Sequence, residues 1–582
     1  MNTRTIINKM HFFLKHKHIL FPAVSVATAL LSATAFTQVA AATKSSDEKG
    51  MDLATPVLTS SDTGAAKLPP RRIILVDVGF DHETDKTCYR PWLHSLKKNG
   101  ATEIIEVATK HSGGTCSVTL ARYSKLCNDL GLDYKCFDWE DIRTTSSTQH
   151  EEFKSLGSFE GVISCHEPSV EIADELSLML NLDTTNLPTT STARHEKLLM
   201  QETIAKAGLR HIKSFFATDS KIALKYIEQN FQFPILLKPD RSSASVGVTV
   251  CNNAAEVQES FGTWIGADLA IASGYIGLTG IVDGLVVQEF LTGEEYVVNV
   301  VSRNGKHVVT DMWRKHTVGK DRLYDRETLC SSSEKHPNIV SYVCDVLVAL
   351  GIDHGPTHVE IMLTKEGPTL IELGTRISGG VGAEHGSVPL DTIEAIAEAY
   401  LQPEHFHRRP LHYHALEAKT VVFLTNPENP FPNFKKIASV FALPSFSHVW
   451  RGALCGIPMR TEANFGAYQV LEYHRVGRKT TDLFSIPGKF VFAHESQEQV
   501  NSDVKKVQAM KSTFFEEELP ADCVAVWLRG NAKPAPADEK LICDCQAWTH
   551  WMEYEMYNKV HPTQMVLNFT GNVRSEPKKE AT

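Results

Sequence analysis

The chain has 582 residues, which is too long for one ordinary domain and suggests two to four. Its 42% hydrophobic and 22% charged residues are near globular averages, which excludes collagen-like, coiled-coil and wholly disordered classes. The formal net charge is -10 without a long basic run, so the sequence lacks the electrostatic signature of a nucleic-acid-binding protein. Its 12 cysteines form no CxxC pair and no zinc-ligand spacing, and we expect most of them to be buried thiols.

Residues 1–42 have the pattern of a signal or targeting peptide. Basic residues precede an apolar run from Ile19 to Phe36, and small residues end the segment. A signal anchor is the alternative, because about 18 apolar residues can span a bilayer. Residues 33–36 resemble the cleavage signature of the two-part sequences that target plastids of secondary origin. Residues 43–70, rich in Ser, Thr, Ala and Pro, predict a linker, and we expect no membrane span in the mature chain.

Strands and helices alternate over residues 71–190. Apolar runs predict strands at 73–78, 103–107, 134–137 and 161–165, and helices at 92–98, 120–130 and 170–180. Repeated strand–helix units predict a parallel sheet covered by helices on its faces. Neither GxGxxG nor GxxxxGK[ST] occurs, so nothing supports a dinucleotide fingerprint or a P-loop.

The pattern changes after residue 195. Apolar spacing predicts helices at 196–209 and 338–350, and strands at 233–239, 246–250, 286–291, 295–301, 307–312, 358–363 and 368–373. Asn304 and Gly305 predict a tight hairpin between the fourth and fifth of these strands. Acidic residues lie at the ends of three strands, so we expect an antiparallel sheet with its chemistry along one face.

Glu360 and Glu372 are the most informative pair of the chain. If 363–368 is a hairpin turn, their carboxylates face one another on neighbouring strands, close enough to share a hard cation such as Mg²⁺. Without a cation they would repel or raise one another's pKa, so a metal, an arginine or a proton must compensate. Arg376 follows Glu372 by four residues. An ordinary strand-edge salt bridge is the alternative interpretation.

The order of these features resembles the ATP-grasp superfamily of carboxylate-amine ligases. A lysine that ends a strand precedes a Ser-rich loop, a Gln-Glu-Phe-Leu strand precedes Gly-Glu-Glu, and Glu360 precedes Glu-Leu-Gly-Thr-Arg-Ile-Ser-Gly-Gly at 372–380. Residues 195–197, His-Glu-Lys, resemble the motif that opens the core of these enzymes, with Glu in place of Asp. The chain looks most like the L-amino acid ligase and carnosine-synthase-like branch, over about residues 73–515.

This resemblance implies an α/β and α+β multidomain architecture. It places a Rossmann-like domain at 71–190, an ATP-grasp domain at 191–405 and a C-terminal lobe at 406–520, and it leaves the tail at 521–582 without a role. It implies an ATP-dependent, ADP-forming ligase that joins a carboxylate, expected to be that of an amino acid, to an amine through an acyl phosphate.

The resemblance also implies roles for individual residues. Lys197 and Lys238 would contact the phosphates and the adenine side of ATP, and Lys238 would assist catalysis. The loop over the triphosphate would contain Ser243, Ser245 and Gly247. Glu289 would lie beside the adenine amino group with Phe290 and Leu291 as the hinge, and Glu295 would hold the ribose. Glu360 and Glu372 would bind Mg²⁺, or Mn²⁺ instead, and Arg376 would stabilise the phosphoryl-transfer step.

The residues that would bind the two substrates are harder to identify from the sequence. His316 lies where relatives place groups for the acceptor, and Gly379 and Gly380 could offer backbone donors to a carboxylate. A lone histidine is more often packed or at the surface, and Lys238 read without the family is a surface lysine that ends a strand. Many relatives have Asn two positions after the second metal glutamate, where this chain has Gly374.

Two other functions stay open on the sequence. A biotin-carboxylase or purine-type carboxylase would use the same nucleotide site, and a non-catalytic relative would bind nucleotide only. The expected partners are a small carboxylate and a small amine, not nucleic acid, and a homodimer is compatible with the sequence. Because ATP is required, we expect the leader to deliver the chain to a plastid or another ATP-containing compartment, with secretion or a periplasm as the alternative.

Overall fold

The computed structural model describes the chain between Pro69 and Glu516 with several gaps. The described residues are 69–77, 85–109, 116–243, 245–269, 272, 280–319, 322–378, 391–425, 431–432, 439–451 and 488–516, and all belong to one compact unit. The targeting peptide predicted at 1–42, nearly all of the linker, Gly379, Gly380 and the tail at 521–582 lie outside the described residues.

A four-stranded parallel sheet forms the amino-terminal part of the described chain. Its strands are β1 (Arg72–Val76), β2 (Glu103–Ala108), β3 (Asp133–Asp138) and β4 (Gly161–Ser164), in the spatial order β3-β2-β1-β4. The helices of this part are α1 (Asp85–Lys98), α2 (Cys116–Asp129), α3 (Trp139–Arg143), α4 (Thr148–Ser155) and α5 (Val170–Met179). β1 and β4 are almost wholly buried, as expected of parallel strands covered on both faces. The predicted parallel α/β arrangement is confirmed.

A second sheet is antiparallel. Its strands are β5 (Ser214–Ala217), β6 (Ile235–Pro239), β7 (Thr249–Cys251) and β8 (Leu285–Glu289), in the order β5-β8-β6-β7. Its helices are α6 (Lys197–Lys206), α7 (Ser220–Asn230) and α8 (Ala254–Trp264). β5 and α7 have no predicted counterpart, although Asp219 caps α7 by accepting from the backbone N–H groups of Lys221 and Ile222.

The strand predicted at 246–250 begins three residues later, as β7. Ser245 and Gly247 have φ angles of 64° and 77°, so the chain turns here instead of extending. A Cβ atom at Gly247 would lie 2.6 Å from Cδ of Pro239, which leaves no room for a side chain. The prediction was wrong at this point because apolar Val246 was read as part of the strand, whereas it is buried within the turn.

The largest sheet has eight antiparallel strands. They are β9 (Glu294–Arg303), β10 (Lys306–Val318), β11 (Leu323–Leu329), β12 (Gly355–Thr364), β13 (Gly367–Gly374), β14 (Ala418–Phe423), β16 (Phe446–Arg451) and β17 (Gly488–His494), and β15 (Phe431–Pro432) pairs separately with β18 (Phe515–Glu516). The order is β13-β12-β9-β10-β11-β14-β17-β16. The helices are α9 (Pro337–Ala349), α10 (Asp391–Leu401), α11 (Pro403–Arg408) and α12 (Gln497–Met510). Asn304 and Gly305, with φ angles of 49° and 72°, form the predicted hairpin.

One hydrophobic cluster joins the parallel sheet to the eight-stranded sheet. It combines side chains of α1, β1 and β2 with Val301 of β9, Val308 of β10 and much of α10. Burial of this shared apolar surface holds the carboxyl end of β4 in a fixed position relative to β12 and β13. A residue that follows β4 can therefore take part in a site built on the large sheet.

The structure adds a covalent link that the cysteine spacing did not predict. Cys116 at the start of α2 and Cys136 in β3 form a disulfide, with Cα atoms 5.4 Å apart. Among the helices of the described ranges, none combines the length and apolarity needed to cross a membrane.

Lys419 on β14 gives a prediction about stability. Only 1% of the residue is exposed, and this burial lowers the pKa of its amine to about 7, although Glu417 opposes the change. The unfolded chain holds this proton up to a pH of about 10, so the free energy of unfolding should rise between pH 7 and 10. Lys419→Met should stabilise the protein at pH 6 by about 1–2 kcal/mol, and the gain should shrink toward pH 10.

Urea denaturation at pH 6 and pH 9 measures this effect. Lys505→Met is the matched control, because Lys505 is exposed on α12. A gain for Lys419→Met that is the same at both pH values would contradict the prediction.

Candidate functional site

A pocket lies between the four-stranded antiparallel sheet and the eight-stranded sheet. Ten of the predicted residues line it: Lys197, Lys238, Ser243, Ser245, Glu289, Phe290, Leu291, Glu295, Glu360 and Glu372. Gly247, Arg376 and His316 are not among the lining residues. The fold therefore brings together side chains that are up to 175 positions apart, since Lys197 and Glu372 both face this pocket.

Two buried lysines form one wall of the pocket. Lys238 ends β6 and is 3% exposed, and burial lowers the pKa of its amine to about 8, although Glu372, whose carboxylate is 4.0 Å away, opposes this shift. Lys197, the first residue of α6, is 5% exposed and donates to the carbonyl oxygens of Asp240 and Ser242. Its Nζ is 3.6 Å from Oε2 of Glu372. Both ammonium groups are thus directed at the same carboxylate.

The loop between β6 and β7 is tied to its surroundings at its base. The guanidinium of Arg241 pairs with the carboxylates of Glu196 and, at 3.4 Å, Glu171 of α5. Beyond Arg241, Ser243 and Ser245 line the pocket, and the small side chains leave the backbone close to it. Such a loop can place backbone N–H groups against an anion.

Glu289 ends β8 and lines the pocket. One carboxylate oxygen accepts a hydrogen bond of 3.0 Å from the backbone N–H of Lys213, and the two backbones are also bonded. Phe290 and Leu291 follow directly and line the pocket, and Arg322 lies 6.0 Å from the ring centre of Phe290. The predicted hinge is therefore an apolar wall next to one oriented carboxylate.

Lys315 on β10 is a site residue that the sequence reasoning did not single out. Its Nζ lies 2.6 Å from Oε1 of Glu295, 3.1 Å from Oε2 of Glu360 and 4.1 Å from the ring centre of Tyr324. Burial alone would lower the pKa of this amine, but Glu295 and then Glu360 raise it well above its usual value. The available signal was a lysine that follows the apolar run of β10 closely.

Glu295 is held from two sides. Besides Lys315, the guanidinium of Arg322 donates to its other carboxylate oxygen at 2.7 Å. In this arrangement the Glu295 carboxylate is engaged by cations, and a ribose hydroxyl would have to share it with them.

Glu360 and Glu372 are directly opposite one another on β12 and β13, as predicted. Burial alone would raise the pKa of Glu360, but Lys315 outweighs it and holds the carboxyl well below its usual range. Each carboxylate thus has a lysine partner: Lys315 for Glu360, and Lys197 and Lys238 for Glu372. Two facing carboxylates with hard oxygen donors fit a divalent cation such as Mg²⁺. In the described part of the chain, no three His, Cys, Asp or Glu side chains already converge on one point.

Arg376 contacts a residue from the parallel sheet. Its Nε donates to Oε2 of Glu167 at 2.5 Å, and its Nη1 donates to the carbonyl oxygen of Ile377. Glu167 begins a short 3-10 turn after β4 and was not predicted to take part. Its carboxylate lies over Gly374, where a Cβ atom would be 2.4 Å from Oε2 and 2.9 Å from Oε1. Gly374 therefore leaves the space that Glu167 occupies.

His316 is adjacent to Lys315 in β10 but is not among the pocket-lining residues. Its Nδ1 lies 3.3 Å from Nη2 of Arg326. Burial, followed by the charge of Arg326, lowers the pKa of this imidazole. Because side chains alternate along a strand, the structure brings Lys315 rather than His316 to the pocket.

Part of this chain is similar to known proteins. The model of the ATP-grasp domain matches residues 231–384. Dapdiamide A synthase of Enterobacter agglomerans is 24% identical over 376 residues, which is 62% of this chain and 80% of that protein.

Two solved structures have a similar fold. The L-amino acid ligase from Bacillus licheniformis has a TM-score of 0.51 at 16% identity and covers 76% of this chain and 98% of its own. The ATP complex of carboxyaminoimidazole ribonucleotide synthase from Aspergillus clavatus also has a TM-score of 0.51, at 12% identity, and covers 77% and 99%. The chain therefore carries an ATP-grasp domain, and it is distantly similar to dapdiamide A synthase.

Proposed function

We propose that the protein is an ATP-dependent, ADP-forming ligase that joins the carboxylate of an amino acid to an amine. The observation that carries this proposal is the convergence of three lysines, Lys197, Lys238 and Lys315, on two facing carboxylates, Glu360 and Glu372. Phosphoryl transfer needs cations around the phosphate oxygens and carboxylates that can hold a metal, and it needs no protein nucleophile.

The reaction activates a carboxylate, because oxide is a poor leaving group. The γ-phosphoryl group passes from ATP to a carboxylate oxygen and ADP leaves; the amine then attacks the acyl carbon, displaces inorganic phosphate and loses a proton. Lys197 and Lys238 would bind phosphate oxygens. Glu360 and Glu372 would hold Mg²⁺ or Mn²⁺, which would neutralise phosphate charge. The loop after β6 would exclude water from the acyl phosphate.

The pair formed by Glu167 and Arg376 supports an amino acid as the activated substrate. A free α-amino acid carries an ammonium and a carboxylate on one carbon, and this pair offers an anion and a cation 2.5 Å apart. The ammonium of the substrate would replace Arg376 as the partner of Glu167. The guanidinium would then be free to bind the carboxylate that becomes phosphorylated. The dapdiamide synthase relationship and the L-amino acid ligase fold are consistent with this substrate class.

The test is ADP release by the full chain with pairs of amino acids, followed by mass spectrometry of the products. ADP release that needs both an amino acid and an amine, with a condensed product, supports the proposal. ADP release that depends on bicarbonate would contradict the ligase proposal and support the carboxylase function. Binding of ATP without ADP release for any pair would leave a nucleotide-binding module.

Gly374 gives a prediction that separates catalysis from nucleotide binding. Gly374→Asn should displace Glu167 from Arg376, because the new Cβ would overlap the Glu167 carboxylate. We expect ADP release to fall by about 10²-fold, the effect of misplacing a substrate-orienting group, while ATP affinity changes little.

Glu167→Gln should lower ADP release in the same assay, and the double variant should lose little more, because both changes disrupt one pair. The opposite outcome, in which Gly374→Asn switches on an inactive wild type, would mean that the chain is a degenerate member of the family.

The cellular compartment of the protein is a separate proposal. Since each proposed role involves ATP, the predicted leader should direct the chain to a plastid or another compartment that contains ATP. Microscopy of a tagged full-length chain measures this, and secretion of all the protein into the medium would contradict it.

A further inference from the structure

A chain of buried polar side chains leads from the interior of the large sheet to Glu360. Asp311 on β10 is fully buried and accepts hydrogen bonds from Nδ2 of Asn299 at 2.5 Å, Nε1 of Trp313 at 2.8 Å and Oγ1 of Thr392 at 3.0 Å. Because Asn299 donates its amide nitrogen to Asp311, its Oδ1 points the other way, 2.9 Å from Nδ1 of His358.

This arrangement places a hydrogen on Nδ1 of His358. An amide oxygen can only accept a hydrogen bond, so Nδ1 of His358 carries the hydrogen and donates it to Asn299. Nε2 is then the ring nitrogen directed at Glu360, 3.5 Å from Oε1, the oxygen that Lys315 does not contact. The imidazolium would donate Nε2–H to this oxygen, whereas the neutral ring presents a lone pair that can share a cation with it.

The position of His358 in the sheet is equally specific. It is two residues before Glu360 on β12, so both side chains point to the same face, and its partner across the strands is Gly374. Gly374 has no side chain, and Glu167 fills the space above it. At the level of Gly374, β13 therefore has no side chain, and β12 has an imidazole directly opposite.

We infer that Nε2 of His358 and the carboxylate of Glu360 together bind the divalent cation that accompanies ATP, with Asn299 and Asp311 as the supporting outer shell. The inference rests on the proposed function, because the phosphate oxygens of the nucleotide complete the coordination. Metal-binding histidines usually donate their second ring N–H to an oxygen acceptor that fixes the ring, and Asn299 is such an acceptor. An imidazole ligand favours Mn²⁺ or Co²⁺ over Mg²⁺, so the site should bind the transition metals more tightly.

Pulsed electron paramagnetic resonance of Mn²⁺ with ADP and the full-length protein tests this inference without any amino acid substrate. Protein with ¹⁵N-histidine distinguishes imidazole coupling from coupling to adenine. We expect a histidine nitrogen coupling in the wild type that disappears in His358→Gln, together with Mn²⁺ affinity about 10- to 100-fold lower in both His358→Gln and Asn299→Leu.

His307→Gln is the matched control, because His307 is a buried imidazole at the far end of β10 that contacts Ser302. It should retain the wild-type spectrum. Mn²⁺ and ADP bound without a histidine coupling would overturn this inference and leave the proposed function standing. No binding of Mn²⁺ and ADP would overturn both.

Discussion

Glu372→Gln should lower the turnover number for ADP release by about 10²- to 10³-fold while ATP affinity changes by less than about tenfold. The substitution keeps the size of the side chain and removes the charge that would hold the cation between β12 and β13. It also leaves Lys197 and Lys238 without their carboxylate partner, and this makes both ammonium groups more available to phosphate. ATP binding should therefore survive a change that stops catalysis.

Arg376→Ala should have an effect of similar size for a different reason. It removes the cation that we place at the carboxylate to be phosphorylated, and it leaves Glu167 unpaired in that interaction. Calorimetry for ATP and a coupled assay for ADP separate binding from turnover in both variants.

Glu294→Gln is the matched control for Glu372→Gln, because Glu294 is half exposed and pairs with Arg314 at the surface. It should leave turnover unchanged. If Glu372→Gln lost ATP affinity and turnover in equal measure, its carboxylate would act in nucleotide binding rather than in the chemical step.

The neighbouring positions of the two carboxylates could be predicted because the hairpin that joins β12 and β13 is local. Their exact pairing depends on a register shift between Glu360 and Ile361, which sets Glu360 opposite Glu372 and which the sequence pattern did not predict. Lys238 was recognisable for a similar reason, since it ends a short apolar strand before a loop of small residues.

The roles of Glu167 and Lys315 could not be predicted, because they depend on contacts between residues that are far apart in the sequence. Glu167 follows β4 in the parallel sheet and reaches Arg376 only because a shared apolar cluster joins that sheet to β9 and β10. Lys315 has carboxylate partners 20 and 45 positions away, so its role required the strand order β12-β9-β10. His316 was predicted because it lies where relatives place groups for the acceptor, and the phase of side chains along β10, which has a register shift beside it, could not be read from one sequence.

The second large effect is expected from Lys238→Met, which should weaken ATP binding by about 10- to 100-fold, the value of a charge-assisted hydrogen bond to phosphate. Methionine keeps the apolar stem and removes the ammonium. The fold should persist, because a buried amine whose pKa is lowered to about 8 costs stability when it is protonated.

The pH dependence distinguishes this role of Lys238 from a purely structural one. In the free protein the amine is protonated below about pH 8, and bound phosphate would favour the protonated form, so wild-type ATP affinity should decline as the pH rises above 8. Lys238→Met should lack that decline, which makes the difference between the two proteins largest near pH 7 and smaller at pH 9. Calorimetric titrations at these two pH values measure it. Equal ATP affinity of the variant and the wild type at pH 7 would mean that the phosphates lie elsewhere in the pocket, and the assignment of the whole nucleotide site would have to be moved.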